Sequence, residues 1–355
     1  MRVEPLFFAK EAIMKGEKLG VVMIFVLVLA VFPLLTALSA EGEPISLNYA
    51  NFFPPTHVHG KLPQAWASEI EKRTNGKVKI TYFPGGTLGK GNEIYDNVLS
   101  GVCDIGLSVF AYTKGRFPVM EAHDSFFGYP SAMAATLMVN DFYNKFKPKE
   151  LADVKVLYLN AHGPGLLHTK KPVYKLEDLQ GMKIRCTGTS AMMTKALGGV
   201  PVAMPQGDTY EALQKGVVEG TFVPIEALKG WKQGEVIKYT TECYDVAYSQ
   251  SVFIVMNLDK WNSLPEDVQK VFEQVSKEWI PKTGQAWDDI DKGGREFTLS
   301  RGNKIIPLSK EESARWVKAV QSVTEDYIKR TEAAGLAGRE YIEEYWRLLD
   351  KYGKK

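Results

Sequence analysis

Apolar and polar positions alternate along the chain with two periods, and the changes between them mark out the elements. Residues 45–52 read as a strand that runs into the Pro54-Pro55 loop. Residues 62–74 repeat apolar side chains at helical spacing and stop at Asn75-Gly76, a helix-ending pair. Residues 78–83 alternate apolar and polar, the period of a strand, and Pro84-Gly85-Gly86 turns the chain. A helix is expected over 93–100, ended by Gly101, and a strand over 105–110. Strand, helix, strand, helix, strand predicts a parallel α/β layer with right-handed crossovers.

The pattern then restarts. Strands are expected over 154–161, 182–186, 200–204, 221–223 and 250–257, with a linking turn over 174–180. Helices are expected over 191–197, closed by Gly198-Gly199, and over 208–216, capped by Asp208. A long helical stretch follows Pro265, kinked near Pro281, and a last helical region runs from about Lys310 onward. No repeat of fixed period is present. The pattern predicts two α/β lobes joined by more than one crossing of the chain. Residues 41–162 and 249–290 are assigned to the first lobe. Residues 163–248 and 291–355, with the C-terminal helices, are assigned to the second. Such a protein would hold a ligand in the cleft between its lobes and close on it by a hinge.

The first forty residues read differently. Arg2, Lys10, Lys15 and Lys18 precede an apolar run over 19–38, which exits through Ala37-Leu38-Ser39-Ala40. A basic start, an apolar middle and a small-residue exit predict a secretory signal peptide over 1–40, cleaved after Ser39 or Ala40. A retained anchor is the alternative that the run's length allows. The protein is therefore expected outside the cytoplasm. No cysteine lies near the exit, which argues against a lipid anchor.

Composition narrows the function. In 355 residues, 45% are apolar and 24% charged, which suits a folded core rather than a disordered chain. Lys plus Arg (44) nearly balances Asp plus Glu (42), so nucleic acid is not an expected partner. Cys103, Cys186 and Cys243 are too few for a disulfide scaffold. One pair could join in an exported protein, and Cys103 reads as a small buried apolar residue.

Candidate chemistry centres on Arg185. If 182–186 is a strand, Met182, Ile184 and Cys186 share one face, and Lys183 and Arg185 the other. Arg185 then stands at the carboxyl end of its strand, where open α/β sheets bind ligands. Its guanidinium presents paired donors that match a carboxylate. His57 and His59 would lie on one side of an extended stretch, which offers a metal-binding alternative. No His-Glu-x-x-His spacing supports it. There is no Gly-x-Ser-x-Gly elbow and no phosphate loop, which counts against a secreted α/β enzyme, although a triad assembled only in space stays open at this point. His57 and Gln206 are candidates for further hydrogen bonds to a ligand. Trp231, after the Pro224 turn, has the best claim among the tryptophans to a pocket wall, and Trp261, Trp279 and Trp287 read as packing residues.

Several segments in order carry a family likeness. They include Asn51-Phe-Phe-Pro-Pro-Thr-His57, Pro84-Gly-Gly-Thr-Leu-Gly89, Gly101-Val-Cys-Asp-Ile-Gly106, Leu179-Gln-Gly-Met-Lys-Ile-Arg185 and Tyr210-Glu-Ala-Leu-Gln-Lys-Gly-Val-Val-Glu-Gly220. Over about 45–340 the chain resembles the solute-binding subunit of tripartite ATP-independent periplasmic (TRAP) transporters, the DctP family. The resemblance implies a two-lobed periplasmic-binding-protein-like α/β fold, with a ligand cleft between the lobes and a long C-terminal helix across both. It implies a protein that is not an enzyme and needs no cofactor. Such a protein would deliver an organic acid to the small and large permease subunits for ion-gradient-driven uptake.

The family's carboxylate-binding arginine falls on Arg185, and its first-strand polar residue on or near Asn51. Its other pocket positions fall on Ser108 and Val109, and on Val223 flanked by Phe222. The likeness is incomplete. Sialic-acid members carry a second arginine where this chain has Gly165, and polar residues where it has Val109 and Val223. Keto-acid members carry a Glu-Trp pair where it has Phe222-Val223, part of a metal-bridged site. One arginine among Phe52, Val109, Phe222 and Trp231 predicts a monocarboxylate with an apolar or aromatic body.

Overall fold

Two sheets organise residues 43–353, which the computed structural model of the chain describes. The expected signal peptide lies outside the described residues. Walking along the chain, β1 (Ile45–Asn51), α1 (Val58–Arg73), β2 (Val78–Phe83), α2 (Ile94–Leu99), β3 (Ile105–Val109), α3 (Ala132–Phe146) and β4 (Val154–Ala161) build the first lobe. The second takes β5 (Gly165–Thr169), β6 (Lys183–Cys186), α4 (Thr189–Ala196), β7 (Val200–Ala203), α5 (Gln206–Gln214), β8 (Gly220–Pro224), α6 (Ala227–Gly230) and β9 (Tyr239–Glu242). β10 (Ser251–Asn257) and α7 (Leu258–Ser263) return to the first. Then come α8 (Glu266–Ser300), β11 (Lys304–Pro307), α9 (Lys310–Ala333) and α10 (Gly338–Tyr352).

The first sheet runs β2-β1-β3-β10-β4 and the second β11-β9-β5-β8-β6-β7. Neither is purely parallel, although β1 and β3, within the parallel layer expected over 45–110, do run parallel. β1 and β3 are parallel, but β10 sits between β3 and β4 and is antiparallel to both. β10 arrives from the second lobe rather than through a helical crossover, so nothing forces it parallel.

The crossings lie side by side. β4 passes to β5 through residues 162–164, and β9 returns to β10 through 243–250. Gly165 N donates to Tyr248 O at 2.8 Å, Ser249 Oγ to His162 O at 2.6 Å, and Gln250 N to His162 Nε2 at 3.1 Å. A side chain on Gly165 would run into the Tyr248 ring, so the close approach of the two crossings requires glycine there.

α8 is the third link. Its 35 residues span about 52 Å at 1.5 Å per residue. Pro281 lies inside this one continuous helix. Towards its start, Glu278 takes both terminal nitrogens of Arg73, at 2.8 and 2.7 Å. Midway, Trp287 Nε1 donates to Asn160 Oδ1 at 2.8 Å, and Asp288 accepts the backbone N–H groups of Ala132 and Met133 at the start of α3. One turn on, Asp291 accepts the N–H of Glu226 at 3.1 Å, in the second lobe. Arg295 then pairs with Glu242. The helix thus passes from one lobe to the other between Asp288 and Asp291. Beyond it, α9 closes the second lobe's core with Trp316, Val320 and Val323, while α10 packs on α3 of the first lobe through Tyr345 stacked on Phe142 at 4.5 Å.

Two local details differ from expectation. α5 starts at Gln206 after Pro205, not at Asp208, whose carboxylate sits in the first turn where the helix dipole favours it. His57-Val58-His59 is not extended: His57 caps α1, its Nδ1 accepting the N–H of His59 at 3.0 Å. The three cysteines are buried and unpaired. Among the described residues, no helix is long and apolar enough to cross a membrane.

Candidate functional site

Both lobes, the crossings and α8 contribute to one cavity. Phe52, Phe53, Val109 and Tyr112 come from the first lobe, and Arg185, Gln206, Val223, Glu226 and Trp231 from the second. His162, Tyr248 and Gln250 line it from the crossings and Trp287 from α8. It leaves about 430 Å³ unfilled by protein atoms, mouth included.

Arg185 is the one arginine of the lining and is only 3% exposed. Strand alternation puts Ile184 in the core and Arg185 on the cavity side. Its Nε and Nη2 both donate to Met204 O, at 3.0 and 2.9 Å. That carbonyl precedes Pro205 and α5, so the turn into α5 holds the guanidinium in place. Tyr112 Oη lies beside the same guanidinium. No carboxylate oxygen lies within 4 Å of the guanidinium among the described residues. A buried cation without an anion is costly, so the site is electrostatically prepared for an incoming anion.

Gln206 adds a donor. It is buried, and its Nε2 has no hydrogen-bond partner. Its backbone N–H faces Tyr112 Oη at 3.4 Å across the lobes. Burial raises the Tyr112 pKa, with Arg185 pulling the other way, so the phenol stays protonated. His162 is pushed down to about 4, by burial first, and is neutral. Its Nε2 accepts from Gln250 N–H, so Nδ1 carries the proton and donates to Gly163 O at 2.6 Å.

The rest of the wall is aromatic. Trp231 stacks on Phe52, ring centres 6.1 Å apart and 16° from parallel, and Phe53 stacks on His57 at 4.8 Å. Behind them His59 stacks on Trp287 at 3.7 Å. His57 Nε2 meets Glu226 Oε2 at 3.0 Å, both buried, which links the lobes at the cavity's edge.

A cleft between two lobes with one buried guanidinium is the architecture of a solute-binding protein, and comparison with known proteins decides the family. Residues 49–331 match the DctP family, described as bacterial extracellular solute-binding protein, family 7. The chain belongs to this family.

Solved DctP-type relatives share the whole fold. A TRAP solute-binding protein from Desulfovibrio salexigens is 34% identical, with a TM-score of 0.77 over 88% of this chain and 98% of that one. A marine-metagenome TRAP protein specific for aromatic acid ligands, in complex with metahydroxyphenylacetate, is 31% identical, with a TM-score of 0.83 over 87% and 100%. One from Rhodoferax ferrireducens with copurified benzoate is 26% identical, with a TM-score of 0.83 over 87% and 98%.

Within this DctP-type protein, the candidates Arg185, Phe52, Val109, Gln206, Val223 and Trp231 line the one cavity. Four other candidates do not line it. Phe222 is turned into the second lobe's core beside Leu166 and Leu167, because it alternates with Val223 along β8. Ser108 alternates in the same way with Val109, and its Oγ donates to Gly91 O at 2.5 Å. Asn51 braces the loop before α1, donating to His59 O at 2.8 Å and Tyr82 Oη at 2.6 Å. His57 stands behind the lining, bonded to Glu226.

Sequence reasoning missed Phe53, Tyr112, His162, Glu226, Tyr248, Gln250 and Trp287. Glu226 had a signal, an acid two residues beyond the strand-end Pro224. Trp287 had none, since its role depends on where α8 crosses. The histidine-pair alternative finds no support. His57 and His59 have ring centres 5.8 Å apart, and His57 is engaged by Glu226. Among the described residues, no group of three or more His, Cys, Asp or Glu is arranged to hold a metal ion.

Proposed function

We propose that this protein binds an aromatic monocarboxylate between its lobes, with the carboxylate on Arg185. The observation that carries the reading is a buried guanidinium with no protein carboxylate partner among the described residues, in a cavity walled by Phe52, Phe53, Trp231 and Trp287. Arg185 contributes charge-assisted hydrogen bonds, each worth roughly 1.5–3 kcal/mol. The unpartnered Gln206 Nε2 gives the carboxylate another donor. The aromatic rings bury the ligand body at about 25 cal/mol per Å².

Two features disfavour a sugar acid. Gly165 leaves no room for a second arginine, since Tyr248 fills that space. Val109 and Val223 offer no polar atoms to hydroxyls. The solved relatives that hold metahydroxyphenylacetate and benzoate support the same ligand class.

The ligand touches both lobes and so favours the closed arrangement, by its differential affinity for that state alone. The closed protein then presents the acid to the small and large permease subunits of a TRAP transporter, outside the cytoplasm and without chemistry of its own. The test is a thermal-shift screen of benzoate, mandelate, succinate, glucuronate and sialic acid. The reading expects the two aromatic acids to raise the melting temperature most. Stabilisation by succinate, glucuronate or sialic acid alone would overturn it.

A further inference from the structure

The cavity contains an acid that the carboxylate reading leaves unused. Glu226 lies two residues beyond the end of β8 and is only 3% exposed, yet it lines the cavity. Its partner fixes its role. The His59 N–H donates to His57 Nδ1 at 3.0 Å, so that nitrogen holds a lone pair. The His57 proton is therefore on Nε2, which donates to Glu226 Oε2 at 3.0 Å. Glu226 acts as an acceptor, steered from the opposite lobe by a helix-capping histidine. Asp291, whose Oδ1 accepts the Glu226 N–H, has its pKa raised well above the usual carboxylate range, by burial first and by the Glu226 charge second.

We infer that Glu226, oriented by His57, takes a hydrogen bond from a hydroxyl group on the body of the bound acid and thereby determines specificity. The inference rests on the reading of Arg185 as the carboxylate anchor. No nitrogen of Arg185 is within 4 Å of Glu226, so the two groups mark separate points of one cavity. A ligand that satisfies both carries an anion at one point and a donor at the other. A second carboxylate beside Glu226 would meet a like charge in a dry site. A hydroxyl has one proton to place and needs one acceptor.

Isothermal titration of the wild-type protein with benzoate, the three hydroxybenzoates, isophthalate and phenylalanine tests this directly. At least one hydroxybenzoate is expected to bind about tenfold or more tighter than benzoate, the effect of a hydrogen bond to a charged acceptor. Isophthalate is expected to bind more weakly than benzoate. Glu226→Gln is expected to bring the hydroxybenzoate-to-benzoate ratio down towards one. An equal loss for both acids is the mark of a merely structural role and overturns the inference. So does benzoate binding as tightly as every hydroxybenzoate, or phenylalanine binding tighter than all of them. If the variant does not fold, the wild-type ratios still decide. No binding of any aromatic acid would instead defeat the Arg185 reading.

Discussion

Arg185 donates through Nε and Nη2 to the single carbonyl oxygen of Met204, at 3.0 and 2.9 Å. The contact restrains a long side chain before any ligand arrives, so less rotamer entropy is lost on binding. It also ties the proposed anion-binding group to the turn that carries Gln206. The two expected carboxylate donors are thus positioned by one short stretch of chain, residues 204–206.

Gln206 tests the cost of that arrangement. Its Nε2 is buried and unpartnered without ligand. Gln206→Met removes an unsatisfied donor and is expected to raise ligand-free stability by about 1 kcal/mol. The same change is expected to weaken benzoate binding about tenfold, since one donor is lost. Chemical denaturation and calorimetry together check the opposed signs, and a variant less stable yet equally tight would count against the role.

Trp231 tests the aromatic wall. It faces Phe52 in a near-parallel stack and lines the cavity. Trp231→Ala should cost benzoate roughly 1–2 kcal/mol through lost stacking and area, with a smaller loss for acetate. Competition titrations with the two acids measure the difference, and equal losses would assign Trp231 to packing alone.

Gly165 tests the crossing. A methyl group there meets the Tyr248 ring, whose hydroxyl donates to Phe222 O at 2.8 Å. Gly165→Ala is expected to destabilise by about 1–3 kcal/mol through overpacking. Adding Tyr248→Leu should restore part of this, because the two residues touch. Urea unfolding of the single and double variants reads the coupling, and strict additivity would contradict it.

His168 sets a pH dependence away from the cavity. It bonds Thr240 Oγ1 at 2.9 Å and Val223 O at 3.2 Å, and burial pushes its pKa from 6.5 down to about 4. The unfolded chain therefore takes up a proton below pH 6.5 that the folded protein refuses until about pH 4. The stability this histidine contributes is complete above 6.5 and falls by about 1.4 kcal/mol per pH unit down to 4. His168→Gln should flatten the stability profile by that slope in that window, as read by denaturation at a series of pH values. An unchanged slope would mean that His168 does not titrate there.

Much of this was legible in the chain itself. The strands over 78–83 and 154–161 carry alternation or apolar runs with clear stops, and both stand where expected. Arg185 was legible because strand parity separates it from Met182, Ile184 and Cys186. Parity also explains the errors at Ser108 and Phe222. Each neighbours a lining valine, and one residue's shift along a strand reverses the face. α3 was missed although its amphipathic rhythm is no weaker than that of α1, α4 and α5, which were read as helices. β5, β9 and β11, of four or five residues each, were missed, and length alone does not explain it, since β6 and β7 are as short and were read. The lining from Tyr248, Gln250 and Trp287 was not legible, since it depends on the 243–250 crossing and α8 converging.

The most direct measurement is a calorimetric titration of benzoate into the wild-type protein and Arg185→Ala, with circular dichroism to show that both are folded. The account predicts that the folded variant loses affinity by about a hundredfold or more, the combined effect of the hydrogen bonds that a guanidinium gives a carboxylate. A folded Arg185→Ala protein that binds benzoate as tightly as wild type would contradict it.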